Sequence, residues 1–218
     1  MTPPKRILCQ VLAALFVLSP KANTGGEDPK PTPENTISVK LAEAVPAQKF
    51  AKPPKFWITD VTDRSGNPQP MLVMKARGGI FLDRQPTAVL REALEQSLKA
   101  AELLATDATT ADLAVRVYIF KFGLAEGSQL DFFGKVEFTA VVKNPQTGES
   151  VEVKATGTSI VKGAVRKKNL QANVQEDIEE ALKDGVRNFL RGQQLKDAVT
   201  ALQKTSEQAP AGVQPQSH

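Results

Sequence analysis

The sequence predicts an α+β fold, in which a single antiparallel sheet of about four to five strands carries two amphipathic helices on one face. Two kinds of pattern predict it. Segments that alternate apolar and polar residues lie in the middle of the chain and are typical of half-buried strands. Segments that repeat apolar residues at helical spacing lie before and after them. The expected order of elements is β(β)αβββα.

The first strand is predicted at residues 56–61, since Phe56, Ile58 and Val61 are apolar and turn-forming residues follow from position 63. A second short apolar run at residues 71–74 accounts for the bracketed strand. The glycine pair at 78–79 then predicts a turn, because the Lys-Ser or Lys-Thr of a phosphate-binding loop is missing around it.

The first helix is predicted to begin near Pro86, a residue that the first helical turn tolerates well. Leu90, Leu94 and Leu98 repeat at a spacing of four residues, and charged side chains occupy the opposite side. This pattern predicts an amphipathic helix of about five turns.

Three strands follow as an antiparallel meander over residues 113–120, 135–142 and 151–158, each with apolar residues at alternate positions. Residues 144–148 predict the turn between the last two strands, where Gly148 is free to adopt a positive φ. A second amphipathic helix is predicted from about Leu170 to Gln194.

Residues 1–22 are predicted to be a signal peptide. A basic start is followed by twelve mainly apolar residues from Ile7 to Leu18, which is shorter than the roughly 20 residues of a membrane-spanning helix. Ala22 is the expected residue before cleavage. The alternative is a buried N-terminal helix of a cytosolic protein, and the chain offers no obvious cover for such a helix.

The rest of the chain is divided by its composition. Residues 23–54 are rich in proline and poor in large apolar side chains, which predicts a disordered linker that can contain a short extended stretch at residues 36–41. Residues 196–218 are predicted to be a disordered tail, because their last part is polar and contains proline. The folded domain is therefore expected at residues 55–195.

Composition excludes most common chemistry. The one histidine is His218, at the end of the chain, and the one cysteine is Cys9, inside the expected signal peptide. This excludes Ser-His-Asp and Cys-His catalysis, Cys/His zinc sites and structural disulfides in the folded domain. The sequence without residues 1–22 is nearly neutral, which argues against nucleic acid as a partner. We expect no enzyme activity, no catalytic residue, no cofactor and no metal.

Two carboxylates, Asp60 and Asp63, are the best candidates for paired acid and base groups, although turn formation is the commoner role of such residues. Asp107 and Asp112 are expected to serve a turn as well. A possible contact surface combines the aromatic pair at the start of one strand with the one dense basic run. Its residues are Phe132, Phe133, Arg166, Lys167 and Lys168.

The region from Phe56 to about residue 195 resembles the YajG-like family of bacterial envelope lipoproteins. The resemblance is carried by the sequence DVTDR at residues 60–64, VLREALEQSL at 89–98, LAVRV at 113–117 and VQEDIEEAL at 174–182. It implies an envelope protein with no known catalytic residues. The chain departs from the family because no cysteine follows the expected signal peptide, so lipid anchoring is not implied.

These observations predict a non-enzymatic, exported protein, periplasmic or associated with the cell envelope, that acts as a binding or adaptor module. Its expected partner is an envelope protein that could add a strand to an exposed sheet edge or pack on the open sheet face, and contact with a membrane surface is possible. The alternative is an accessory subunit of an envelope transport system that handles lipid or another hydrophobic ligand in a pocket between sheet and helices. A hydrolase that uses Asp60 and Asp63 is the third hypothesis.

Overall fold

The computed structural model describes residues 30–66, 79–126, 132–159 and 170–208. The predicted signal peptide, the apolar run at 71–74 and the basic run at 166–168 lie outside these ranges. The elements, after a short 3-10 turn at Pro33–Asn35, are β1 (Thr36–Ile37), β2 (Phe56–Asp63), β3 (Phe81–Leu82), α1 (Pro86–Ala100), β4 (Leu113–Glu126), β5 (Phe132–Lys143), β6 (Ser150–Thr158), α2 (Leu170–Arg191) and α3 (Gln193–Gln208).

The main sheet has four strands in the order β2-β4-β5-β6, and a small two-stranded sheet joins β1 to β3. The predicted α+β class is confirmed, as is the antiparallel meander β4-β5-β6. The prediction of a wholly antiparallel sheet is wrong, because β2 pairs with β4 in parallel. The segment that joins β2 to β4 contains helix α1, and it returns the chain to the end of the sheet where β2 began. Parallel neighbours require a crossover connection of this kind.

The first helix begins at Pro86 as predicted, and its leucines Leu90, Leu94 and Leu98 are buried. The second predicted helix is two helices, since α2 ends at Arg191 and α3 begins at Gln193. Gly192 lies between them, where glycine is the usual residue after a last helical turn. A Cβ at this position would lie only 2.3 Å from the carbonyl oxygen of Asn188.

The folded unit is larger than residues 55–195. Helix α3 continues to residue 208 and buries Leu195, Ala198, Val199 and Leu202, so residues 196–208 are not a disordered tail. Apolar residues at helical spacing continue beyond 195, and they find a surface to cover only in the folded molecule.

The predicted linker also contributes to the core. Within it, Ile37, Val39, Leu41 and Val45 are buried, and β1 pairs with β3. The backbone N–H of Val45 donates to Ser97 Oγ of α1 at 3.0 Å. The N–H of Gln48 donates to the carbonyl oxygen of Leu190 in α2 at 3.1 Å. Residues 36–50, which we call the N-terminal strap, therefore cross α1 and α2 and cover the helix layer.

Helix α2 lies very close to strands β5 and β6. A Cβ on Gly157 would lie 2.0 Å from the carbonyl oxygen of Ala181, and one on Gly134 would lie 2.1 Å from that of Asp177. Further along, the rings of Phe138 and Phe189 meet edge to face with centroids 5.9 Å apart. The two glycines thus let the helix backbone touch the sheet, and the interface beside them is filled by side chains.

Candidate functional site: the open face of the sheet

The helices cover one face of the four-stranded sheet, and no helix or strand of the described residues covers the other face. The side chains that alternate with the buried positions of β2, β4, β5 and β6 lie on this second face, which we call the open face. Its register is fixed by the pairs Trp57↔Ala114 and Tyr118↔Thr139 and by the pair Thr139↔Lys154.

Aromatic side chains are spread over three strands of the open face. Trp57, Tyr118 and Phe133 are partly buried, whereas Phe120 is 45% exposed and is the one large hydrophobic side chain among the described residues to be so exposed. The pairing of β4 with β5 shifts between Ile119 and Lys121, so Phe120 lies at a bulge. A bulge re-aims a side chain, which explains why this phenylalanine lies exposed in an otherwise regular strand.

Arg64 stacks on the open face at the end of β2. Its guanidinium carbon lies 3.8 Å from the centroid of the Tyr118 ring, a cation–π contact. Its backbone N–H donates to the carbonyl oxygen of Ile119 at 2.8 Å. The stack holds one cation and one aromatic ring together at the surface.

Basic side chains outnumber acidic ones on the open face. The acids are Asp60, Glu137 and Glu152, and Glu137 pairs with Lys135 at 2.7 Å. The cations are Arg64, Arg116, Lys121, Lys135, Lys143 and Lys154. The face is therefore positively charged and interleaved with aromatic rings.

The two candidate carboxylates do not form a pair. Asp60 aligns with Arg116 and Asp63 with Ile119, and residues three apart on a strand point to opposite faces. The Thr62 hydroxyl donates to Asp60 at 2.7 Å and is the main cause of the lowered pKa of Asp60, to which the charge of Arg116 adds. Asp63 accepts the backbone N–H of Ser65 at 2.7 Å, as a turn aspartate does.

The other two aspartates also support backbone. Asp107 accepts the N–H groups of Thr109 and Thr110, and the Thr109 hydroxyl is the main cause of its lowered pKa. Asp112 accepts the N–H of Lys55 at 2.8 Å. Within the described ranges, no group of three or more His, Cys, Asp or Glu side chains is arranged to hold a metal ion.

The structure places only part of the predicted contact surface. Phe133 lies partly buried on the open face, opposite Ala125. Phe132 pairs through its backbone with Glu126, and nothing further is described of its side chain. Arg166, Lys167 and Lys168 lie outside the described residues. Sequence reasoning missed Trp57, Tyr118 and Phe120, although their alternation with buried neighbours was a signal that could have found them.

The free edge of β6 is covered by polar side chains from the helices. The N–H groups of Lys154 and Thr158 each donate at 3.2 Å, to Gln194 and to Asp184 respectively. Asn188 Nδ2 donates to the carbonyl oxygen of Thr156 at 2.8 Å. We call these three helical side chains the edge guard. They occupy the groups that an added strand would need, so strand addition at this edge is disfavoured.

The edge at β2 is also partly covered. Phe56 exchanges backbone hydrogen bonds with Leu103 and Ala105 at 2.7 and 2.8 Å, and Arg91 donates to the carbonyl oxygen of Ile58 at 3.0 Å. The expectation of an exposed edge ready for a partner strand is therefore not met at these positions.

Two grooves lie away from the open face. An apolar groove of about 560 Å³ runs between residues 44–53 and the end of α1, with Val45, Phe50 and Leu103 in its lining. A charged groove of about 730 Å³ lies between residues 40–43 and α2. In the charged groove the acids Glu43, Glu176, Glu179, Glu180 and Asp184 outnumber the cations Lys40, Lys183 and Arg187.

None of the helices in the described ranges combines the length and the apolar character needed to cross a membrane.

No protein-family model matches the sequence, and no curated protein matches it either. The fold is similar to that of protein XCC0632 from Xanthomonas campestris, assigned to DUF330, with a TM-score of 0.58, 11% sequence identity and coverage of 80% of this chain and 99% of that chain. Weaker similarities link it to a putative lipoprotein from Caulobacter crescentus (TM-score 0.34, 14% identity, 66% and 90% coverage) and to lipoprotein GNA1162 from Neisseria meningitidis (TM-score 0.27, 12% identity, 57% and 94% coverage). The first likeness shows a shared fold, and the YajG-like family stays a prediction.

Proposed function

We propose that this chain is a non-enzymatic, exported protein of the cell envelope that binds its partner through the open face of the sheet. The observation that carries the proposal is the asymmetry of the sheet. Helices cover one face of the sheet, whereas the other presents Phe120, the Arg64–Tyr118 stack and an excess of cations among the described residues. A sheet face with aromatic side chains, on which no other described element packs, is typical of a contact surface.

The candidate carboxylates support a binding role over a catalytic one. Asp60 and Asp63 diverge on the strand, and each accepts a hydrogen bond from a neighbour in the same segment. The only histidine and the only cysteine lie near the ends of the sequence, away from the sheet segments. The hydrolase hypothesis requires both carboxylates to face one site, and they do not.

Export and the envelope location rest on the predicted signal peptide and on the YajG-like resemblance. The fold shared with the Xanthomonas campestris protein is compatible with both, since it places this α+β layout in a bacterial protein.

The alternative function, an accessory transport subunit for a hydrophobic ligand, was expected to show a pocket between sheet and helices. Close contact of α2 with Gly134 and Gly157 leaves no room for a ligand at these two positions. The apolar groove beside residues 44–53 is the observation that favours this second candidate, and it lies at the outer side of the helix layer.

The proposal is tested by site-specific photocrosslinking in cells that express the full chain. A photoreactive phenylalanine analogue at position 120 is expected to give a crosslinked product in the envelope fraction. Mass spectrometry of that product should show that the chain begins after residue 22. The same analogue at Lys183, exposed on α2, is the control and should give no such product. Equal crosslinking from both positions, or a product in the cytosol with residues 1–22 intact, would contradict the proposal.

A further inference from the structure

We propose that the open face binds the surface of an anionic phospholipid membrane. The inference rests on the proposed function and names the partner of the same surface. Three observations favour a membrane as the partner: the charge of the open face, the types of side chain on it, and the covered edges of the sheet.

The open face and the charged groove on the helix layer differ in the sign of their excess charge. Cations outnumber acids on the open face, where Arg116 and Lys154 are exposed. Acids outnumber cations in the charged groove on the helix layer, which Glu179 and Glu180 line. An anionic surface therefore attracts the open face more strongly than the charged groove, which favours an orientation with the open face towards the headgroups.

The composition of the open face suits a headgroup layer. Trp57 and Tyr118 are amphipathic rings of the kind that prefers membrane interfaces, and Phe120 is exposed on the same strand as Tyr118. Lysine and arginine extend apolar stems while their charges reach the phosphates. The core of a protein–protein interface is depleted of lysine, whereas this face carries Lys121, Lys135, Lys143 and Lys154.

The covered edges of the sheet argue against a partner that adds a strand. The edge guard occupies β6, and Leu103, Ala105 and Arg91 occupy part of β2. A protein that adds a strand meets these groups, whereas a lipid surface needs only the face. The observations thus favour a membrane over a peptide partner.

The test uses Trp57, the only tryptophan of the chain, as a reporter on the open face itself. The full chain is mixed with vesicles of phosphatidylcholine that contain 30% phosphatidylglycerol and a dansyl-labelled lipid, or with the same vesicles lacking phosphatidylglycerol. Energy transfer from Trp57 is expected with the anionic vesicles and should fall when the salt is raised to 0.5 M, because salt screens exposed charges.

Two matched double variants locate the contact. Arg116→Glu with Lys154→Glu reverses two exposed cations of the open face, and Lys183→Glu with Lys196→Glu makes the same change in net charge on the helices. The first pair should weaken vesicle binding at least about 30-fold, given about 1 kcal/mol for each basic residue near an anionic surface. The second pair should leave binding within about twofold of the parent chain.

Equal energy transfer with neutral vesicles, or equal loss of binding in both double variants, would overturn the proposal. A dimer in light scattering that the open-face pair abolishes, with no vesicle binding by the parent chain, would assign the face to a second copy instead. A protein crosslinked from position 120 without vesicle binding would overturn the membrane assignment and leave the proposed binding function standing.

Discussion

Single glycines determine how closely the two layers approach. Gly157 of β6 lies against Ala181 and Gly185 of α2, and no other residue could occupy its position without moving backbone. Gly185 is different, because a Cβ there would lie 3.4 Å from the nearest backbone atom, which is ordinary contact. Two neighbouring glycines thus have different structural roles.

We expect Gly157→Ala to lower the free energy of unfolding by about 1–3 kcal/mol or more, because the methyl group would push against helix backbone. Gly185→Ala should be neutral or stabilising by up to about 1 kcal/mol, since alanine is the better helix former. Urea unfolding of both variants measures the difference. A Gly157→Ala protein as stable as its parent would show that the layers are not in backbone contact.

At the scale of elements, helices α2 and α3 contact β6 in two ways. Their apolar side chains cover its inner face, and the edge guard of Asp184, Asn188 and Gln194 caps its free backbone groups. An uncapped edge strand is a template for pairing with another chain. The guard therefore helps to keep the sheet at four strands.

Truncation of the guard in Asp184→Ala/Asn188→Ala/Gln194→Ala should expose the β6 edge and cause concentration-dependent self-association, which light scattering detects. The control Lys183→Ala/Gln193→Ala/Thr200→Ala removes as many exposed side chains from the same helices without touching the strand. It should behave as the parent chain does. Equal association in both variants would assign the effect to general destabilisation.

At the scale of the whole molecule, the N-terminal strap makes the domain longer than its regular elements suggest. Val39 and Val45 are 0% and 1% exposed, and Ser97, itself buried, accepts the N–H of Val45. Without the strap the outer side of α1 and α2 would lie in water, and Ser97 would lose its backbone donor.

A chain that begins at residue 55 should therefore lose more than about 5 kcal/mol of stability, at about 1.5 kcal/mol or more for each of the four buried strap side chains. Since whole domains are stable by only about 5–15 kcal/mol, we expect the thermal transition measured by circular dichroism to be lost or to fall by at least about 10 °C. A chain that begins at residue 30 keeps the strap and should melt cooperatively. A normal transition in the shorter chain would restore the linker prediction.

The sequence by itself determined the elements whose pattern is local. The spacing of Leu90, Leu94 and Leu98 predicted α1, and the alternation along 113–120, 135–142 and 151–158 predicted the meander, because both periodicities follow from backbone geometry alone. The turn role of Asp63 followed in the same way from its short side chain and its neighbours.

Only the tertiary structure decided what depends on distant residues. The alternating Ile37, Val39 and Leu41 stand among prolines, so composition indicated a linker, and only the surfaces of α1 and α2 give these side chains a place to be buried. The parallel pairing of β2 with β4 depends on the path of α1 across the sheet. The sequence also did not show which face of the sheet would be the open face. Alternation along a strand predicts two faces, and the packing of the helices decides which of them remains in solvent.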